Sequence, residues 1–308
     1  MLRHEKEGRC CMRTERANAK INLYLNIVSR RENGYHNLES LMQTVSLCAL
    51  VTVDFHPSAT TKITLRASGN AQMPTDCRNL AWRAAERYLE AADVRGEVQI
   101  FIEKHIPMAA GLAGGSADAA AVLRGLNRLC GNRLTVEQLC AIGEKLGADV
   151  PFCIVGGTSL VTGIGECLKE LLPMPSCYLV VACMGEGVST PWAYGKLDEA
   201  HGNFEESTKK DPRIDALRKH LEQGDVSTAS VYFFNLFEEV VPSVQPYVEK
   251  LKQVMNASGA VRSMMSGSGP SVFGIFNTAE HAQAACEALR AMKAEAFVCH
   301  PVGKFTEQ

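Results

Sequence analysis

Residues 106–121 read Ile-Pro-Met-Ala-Ala-Gly-Leu-Ala-Gly-Gly-Ser-Ala-Asp-Ala-Ala-Ala, a glycine-rich turn that follows a strand pattern and runs into an alanine-rich helix. Gly111, Gly114 and Gly115 lack a Cβ, so the chain can turn sharply and bring several N–H groups onto one ligand. Ser116 and Asp118 fall where the helix begins, and the unpaired N–H groups and dipole there favour an anion such as phosphate. The competing reading is an ordinary glycine turn with Ser116 as helix cap. The spacing matches neither Gly-x4-Gly-Lys-Ser/Thr nor Gly-x-Gly-x-x-Gly, so a P-loop and a dinucleotide fingerprint are both unsupported.

Around this segment the chain alternates strand and helix patterns. Ile21, Leu23, Leu25 and Ile27 alternate with Lys20, Asn22, Tyr24 and Asn26, which predicts a half-buried strand over 19–28 with one polar face. A turn at 32–34 precedes Tyr35 and His36. Further strands are expected near 47–55, 62–66 and 98–102, and helices near 80–91, 116–129 and 136–146. Thr135 and Gln138 stand at capping-box spacing before the last of these. No regular βαβ repeat emerges, which favours an α+β architecture over a doubly wound sheet. Glycines at 156, 157, 163 and 165 mark a domain boundary, giving 1–162 and 163–308. Beyond it we expect a buried strand at 177–184, a polar surface loop at 201–213 and a helix at 244–255. Strands at 262–265 and 271–276, a helix at 279–292 and a strand at 296–300 complete the second domain.

A chain of 308 residues, 46% of them hydrophobic, can bury a substantial core. Its 32 basic and 34 acidic residues nearly cancel, so no global field draws it to nucleic acid or an anionic membrane. Any anion must be met by a local device. The twelve cysteines are scattered and form no Cys-x-x-Cys pair, so we read them as reduced thiols, most of them buried. Residues 1–11 read as a disordered extension, with Met12 an alternative start. No apolar core of a secretory signal occupies the first sixteen residues, and Pro107, three glycines and Asp118 interrupt the most apolar stretch, residues 106–123. A cytoplasmic protein without membrane or nucleic-acid partners is expected.

Three further segments carry candidate chemistry. Asp149 lies between Gly147, which can adopt a left-handed backbone, and Pro151. That short, stiff connection suits a base for a hydroxyl proton, although such an aspartate is also a common turn residue. Lys20, on the polar face of its strand, could offset charge on a transferring phosphoryl group or simply be solvated. Residues 266–270, Ser-Gly-Ser-Gly-Pro, permit close backbone approach to a ligand or form a plain hairpin connection.

Taken in order, residues 19–23, 107–120 and 265–273 resemble the three motifs of the GHMP kinase superfamily. The resemblance implies a two-domain α+β fold, with a ribosomal-protein-S5-like amino-terminal domain, a ferredoxin-like carboxy-terminal domain and the active site between them. It also implies ATP as co-substrate with Mg²⁺. By the same resemblance Asp149 is the catalytic base and Lys20 its partner. ATP would be held by Asn79 and by Pro107, Met108, Ala109, Ala110, Gly111, Leu112, Ala113, Gly114, Gly115 and Ser116. Residues 31–36, 79–85, 147–152 and 189–194 point to the branch that phosphorylates a cytidine-diphosphate-bearing alcohol of non-mevalonate isoprenoid biosynthesis. Asn22, Tyr35 and His36 would then line the acceptor site, and Tyr194 would stack on the cytosine, with Trp192 as its rival. Ala113 and Ala117 replace the glycine and serine commonest in this family, so Ala113 must sit at negative φ or accept strain. Asn18 stands where proline is common. No carboxylate cluster suggests a protein-held metal cage. A homoserine- or mevalonate-type kinase, or a non-catalytic nucleotide-binding paralogue, are the alternatives. The protein would be a monomer or homodimer.

Overall fold

The computed structural model describes residues 11–69, 72–202, 204 and 211–305. Contacts group the chain into two units that interleave along it. The first takes residues 1–17, 49–105 and 115–154, and the second 18–48, 106–114 and 155–308. Residues 1–10 of the expected extension, and 203 and 205–210 of the expected polar loop, lie outside the described residues.

In the first unit the start of β1 (Cys11–Arg30) and the end of β2 (His36–Pro57) join β3 (Lys62–Ser68), α1 (Leu80–Ala91), β4 (Gly96–Glu103), α2 (Gly114–Leu129), α3 (Val136–Glu144) and α4 (Val150–Val155). Strand β4 pairs antiparallel with β2 and parallel with β3, so Val53, Ile100 and Leu65 fall in one buried row. Its own alternation buries Val98, Ile100 and Ile102. Helix α1 buries Ala81, Ala84, Ala85, Tyr88 and Leu89, the stripe that its helical period dictates. Helix α3 opens on the expected capping box, in which Thr135 and Gln138 each satisfy the other's backbone N–H.

Small side chains let α2 lie deep in this unit. Ala117, Ala119, Ala120 and Ala121 are all buried. At Gly125 a Cβ would already meet Val53 Cγ2 at 3.3 Å and Glu15 Cγ at 3.4 Å. The same helix carries a buried cation. Arg124 donates to the Cys153 carbonyl at 2.6 Å and the Arg16 carbonyl at 2.8 Å, with its Nε 3.6 Å from Glu15. Arg128 and Arg13 reach the same carboxylate at 2.5 and 2.8 Å. Burial pushes the Arg124 guanidinium down, and the Glu15 charge opposes that.

In the second unit β2 pairs antiparallel with β5 (Thr158–Gly163), which pairs antiparallel with β6 (Cys167–Glu170). A separate antiparallel sheet has the order β11-β7-β10-β9 and uses β7 (Tyr178–Cys183), β9 (Arg262–Met265), β10 (Val272–Phe276) and β11 (Glu295–Cys299). Between β7 and β9 run α5 (Thr190–His201), α6 (Pro212–Glu222), α7 (Val226–Ala229), β8 (Phe234–Asn235) and α8 (Tyr247–Ala257). Helix α9 (Ala279–Ala291) precedes β11. Helices α8 and α9 pack on the second sheet, and β8 pairs parallel with β1 at Tyr24 and Leu25.

Strand β1 departs from the expected half-burial. Ala19, Ile21 and Leu23 are buried, and so are Lys20, Asn22 and Tyr24 on the opposite face. The polar face is sealed by hydrogen bonds within the unit. Lys20 Nζ donates to Asn22 Oδ1 at 2.7 Å, Asn22 Nδ2 to Ser40 Oγ at 2.8 Å, and Ser40 Oγ to the Tyr24 carbonyl at 2.6 Å. The cysteines also differ from expectation. Of the ten described as free, only Cys153, Cys183, Cys286 and Cys299 are buried.

Removing the buried cation tests the packing of the first unit. Arg124→Ala leaves two carbonyls and part of the Glu15 charge without a buried donor, so we expect a loss of about 3–5 kcal/mol in urea unfolding. A loss below about 1 kcal/mol would mean that water replaces the guanidinium at that site.

Candidate active site

The glycine turn belongs to the second unit as far as Gly114. Its backbone is held by three neighbours. The Lys20 N–H donates to the Leu112 carbonyl at 3.2 Å, the Ser271 N–H to the Ala110 carbonyl at 3.2 Å, and Ser266 Oγ to the Gly111 carbonyl at 3.1 Å. Gly111 sits at φ +77°, and a Cβ there would lie far inside contact distance of the Ser266 carbonyl oxygen. The missing side chain at 111 therefore makes room for protein backbone. The 266–270 segment is in turn fastened by Asn235, whose Nδ2 donates to the carbonyls of Met265 and Gly267, both at 2.8 Å. Pro107, Ala110 and Leu112 are buried, whereas Met108 and Ala109 are exposed. Ala113 takes the strained alternative, at φ +56°, and Ala109 does the same at φ +51°.

In the first unit, Gly115 is exposed at the start of α2 and Ser116 is half-buried beside it. A Cβ on Gly147 would be 3.8 Å from Ser116 Oγ, so the 147–149 connection passes next to the start of α2. Asp149 is half-buried, and its carbonyl accepts the Cys153 N–H at 3.0 Å, which places it immediately before α4. Gly147 does not use a left-handed backbone, because its carbonyl closes an ordinary turn with the Val150 N–H at 3.0 Å. Pro151 falls in the first turn of α4, where its missing N–H costs nothing.

Two predicted residues have structural partners of their own. Asn79 caps α1, its Oδ1 accepting from the Ala81 N–H at 2.9 Å and its Nδ2 donating to the Pro74 carbonyl at 2.7 Å. Asp118 faces inward and grips Lys104, with Oδ2 2.5 Å from Nζ and both side chains 2% exposed. Burial pushes the Asp118 carboxyl up, and Lys104 pulls it back. Asp118 thus serves the interior rather than the solvent side of the helix start. Lys104 was not singled out in the sequence, although it directly follows β4 on the way to Pro107.

Also in the second unit, Tyr35 is exposed and His36 buried. Tyr194 stacks on the His36 ring with centroids 4.7 Å apart at 20°, and Phe237 meets Tyr194 edge-on at 5.0 Å. His36 Nε2 lies 2.7 Å from Asp198 Oδ1. One face of Tyr194 is therefore covered by His36. Trp192 is half-buried two residues earlier on α5. Asp198 and Phe237 were missed in the sequence, and only the four-residue spacing from Tyr194 to Asp198 could have signalled the former.

The sequence profile of the GHMP kinases N terminal domain matches residues 79–157, and that of the GHMP kinases C terminal domain matches 199–295. A 4-diphosphocytidyl-2-C-methyl-D-erythritol kinase of Exiguobacterium sibiricum is 40% identical over 289 residues, covering 94% of this chain and 98% of the relative. The chain belongs to the GHMP kinases, in the family of the 4-diphosphocytidyl-2-C-methyl-D-erythritol kinases. As a GHMP kinase it is an ATP-dependent small-molecule kinase. The same name belongs to a relative from Caldicellulosiruptor bescii, 40% identical over 275 residues that cover 89% of this chain and 93% of the relative. A crystal structure of 4-(cytidine 5'-diphospho)-2C-methyl-D-erythritol kinase is 35% identical, with a TM-score of 0.77, covering 94% of this chain and all of the other. Homoserine kinase from Cytophaga hutchinsonii, 20% identical with a TM-score of 0.72 over 99% of this chain and 98% of its own, shares the fold. Among the described residues no helix is long and apolar enough to cross a membrane.

The backbone strain at 113 gives a direct test. Ala113→Gly removes a Cβ that costs about 1–2 kcal/mol at positive φ, against about 0.5–1 kcal/mol of added unfolded-chain freedom. We expect the thermal midpoint to rise, by up to about 1.5 kcal/mol in stability. A fall would show that the Ala113 methyl packs favourably enough to outweigh its strain.

Proposed function

We propose that this kinase phosphorylates the 2-hydroxyl of 4-diphosphocytidyl-2-C-methyl-D-erythritol, with Asp149 as general base and Lys20 as its lysine partner. The observation that carries the assignment of Asp149 is the approach of its connection to the start of α2, with Gly147 beside the Ser116 hydroxyl. A helix start with accessible N–H groups suits a nucleotide phosphate, and a carboxylate a few residues from it suits a hydroxyl attacking that phosphate. In this reading the acceptor oxygen bonds to the γ-phosphorus, the bridging bond to the β-phosphate breaks, and ADP leaves. The hydroxyl proton passes to Asp149. Lys20 contributes positive charge as negative charge spreads over the transferring group. The turn from Pro107 to Ser116 and Asn79 bind ATP. Asn22, Tyr35, His36 and Tyr194 bind the acceptor.

Mg²⁺ enters as part of the nucleotide substrate. Among the described residues no three His, Cys, Asp or Glu side chains gather into a metal cage, and Asp118 near the glycine turn is engaged by Lys104. In the linear sequence we place the family's two domains at 1–162 and 163–308, and the enzyme in the cytoplasm, where its two phosphorylated substrates would be made.

Asp149→Asn is expected to lower kcat by about 10²–10⁴-fold, the usual worth of a general base, with ATP affinity nearly unchanged. ADP release under saturating acceptor reads this directly, and near-normal turnover would remove the base assignment. Tyr194→Ala is expected to weaken binding of a cytidine-bearing acceptor by about 1–3 kcal/mol in calorimetry, the value of aromatic–base stacking. Unchanged affinity would transfer the stacking role to Trp192 or abolish it.

A further inference from the structure

The geometry points to Asp198 as a positioning residue that acts on the acceptor through His36. Tyr194 and Asp198 are four residues apart on α5, so they project from one side of the helix. Tyr194 covers the face of the His36 imidazole, and Asp198 takes its edge. Two coordinates of the ring, its plane and its rotation within that plane, are thereby set by one helical turn. Phe237 fixes Tyr194 from the side. Arg30 Nη1 lies 3.6 Å from Asp198 Oδ2, which places a positive charge behind the carboxylate.

The hydrogen-bond partner decides the tautomer. A carboxylate oxygen only accepts, so His36 Nε2 carries the proton. In the neutral ring Nδ1 then holds a lone pair. Among the described residues Nδ1 has no hydrogen-bond partner, and Tyr35, the preceding residue, is 60% exposed. An acceptor nitrogen beside an exposed aromatic ring suits a flat heterocycle that carries an N–H donor, such as an aminopyrimidine. Without Asp198 the imidazole could rotate about its side-chain bonds or take the other tautomer, and the lone pair would no longer be presented in one direction.

This inference rests on the acceptor-site reading of Tyr35, His36 and Tyr194, and the experiment separates the two. Steady-state kinetics with ATP and 4-diphosphocytidyl-2-C-methyl-D-erythritol would compare Asp198→Ala, Asp198→Asn, His36→Ala and Tyr194→Ala. The ring nitrogens of His36 would be followed by ¹⁵N NMR in the full-length protein. For Asp198→Ala we expect the acceptor KM to rise tenfold or more, with the ATP KM and the thermal midpoint little changed. The His36 signals should move from the Nε2–H form toward a mixture of tautomers. Asp198→Asn keeps the size and one acceptor oxygen, and should give an intermediate rise. An unchanged acceptor KM for Asp198→Ala beside a raised one for His36→Ala overturns the positioning role alone. Unchanged acceptor KM in all four variants overturns the acceptor-site reading itself. A parallel rise in ATP KM and fall in thermal midpoint in both Asp198 variants assigns the residue to holding α5 in place and likewise overturns the proposal.

Discussion

In the second unit the main chain at Gly111 passes so near the Ser266 carbonyl that no side chain fits between them, and the shape of the glycine turn depends on it. A side chain at 111 would push the two apart. Ser266 Oγ and the Ser271 N–H then bind the carbonyls of Gly111 and Ala110, and the Lys20 N–H binds that of Leu112. Three consecutive carbonyls of the turn are thus committed to protein. A main chain whose carbonyls are held inward leaves its conformation little freedom before any ligand arrives, which is the preorganisation an electrostatic cradle needs. That tolerance for crowding also explains two alanines at positive φ: surrounding contacts over-determine the turn and carry the strain.

Buried charge is handled differently in the first unit. Lys104 and Asp118 form a desolvated pair under the start of α2, and Arg124 and Arg128 close on Glu15 further along the same helix. Such pairs give little net stability, because desolvation offsets most of the attraction. They do penalise any packing of α2 that separates the partners. An alanine-rich helix has few large side chains with which to define its own rotation and depth, and charged partners that must be met restrict both, in keeping with polar groups that specify rather than strengthen.

Local patterns carried much of the fold. Helix α1 was legible over its whole length from its apolar stripe, α3 from its capping box, and β4 from strict alternation. Helix α5 was not, because only Ala193 and Leu197 are buried along its twelve residues, too few to declare a period. The first half of β2 was hidden for the opposite reason, since the residues from Ser40 to Val45 are buried on both faces and show no alternation. Among the candidate residues, those at 20, 36, 116, 149 and 194 drew attention by chemistry or motif. Lys104, Asp198 and Asn235 did not, because each matters through a partner distant in sequence.

What the amino-acid sequence determined by itself was the set of local conformations and the family: glycines where the backbone must turn, caps where helices start, and three motifs in order. Local steric and hydrogen-bonding preferences act over a few residues, so they can be read in a few residues. Only the tertiary structure decided how those parts are used. It showed that Gly111 makes room for Ser266, that Asp118 turns inward to Lys104, that both faces of β1 are buried around Lys20, and that the Asp198 carboxylate meets His36. The contacts of Gly111 with Ser266, Asp118 with Lys104 and Asp198 with His36 join residues at least fourteen positions apart, and such contacts depend on the path of the whole chain, which no local preference encodes.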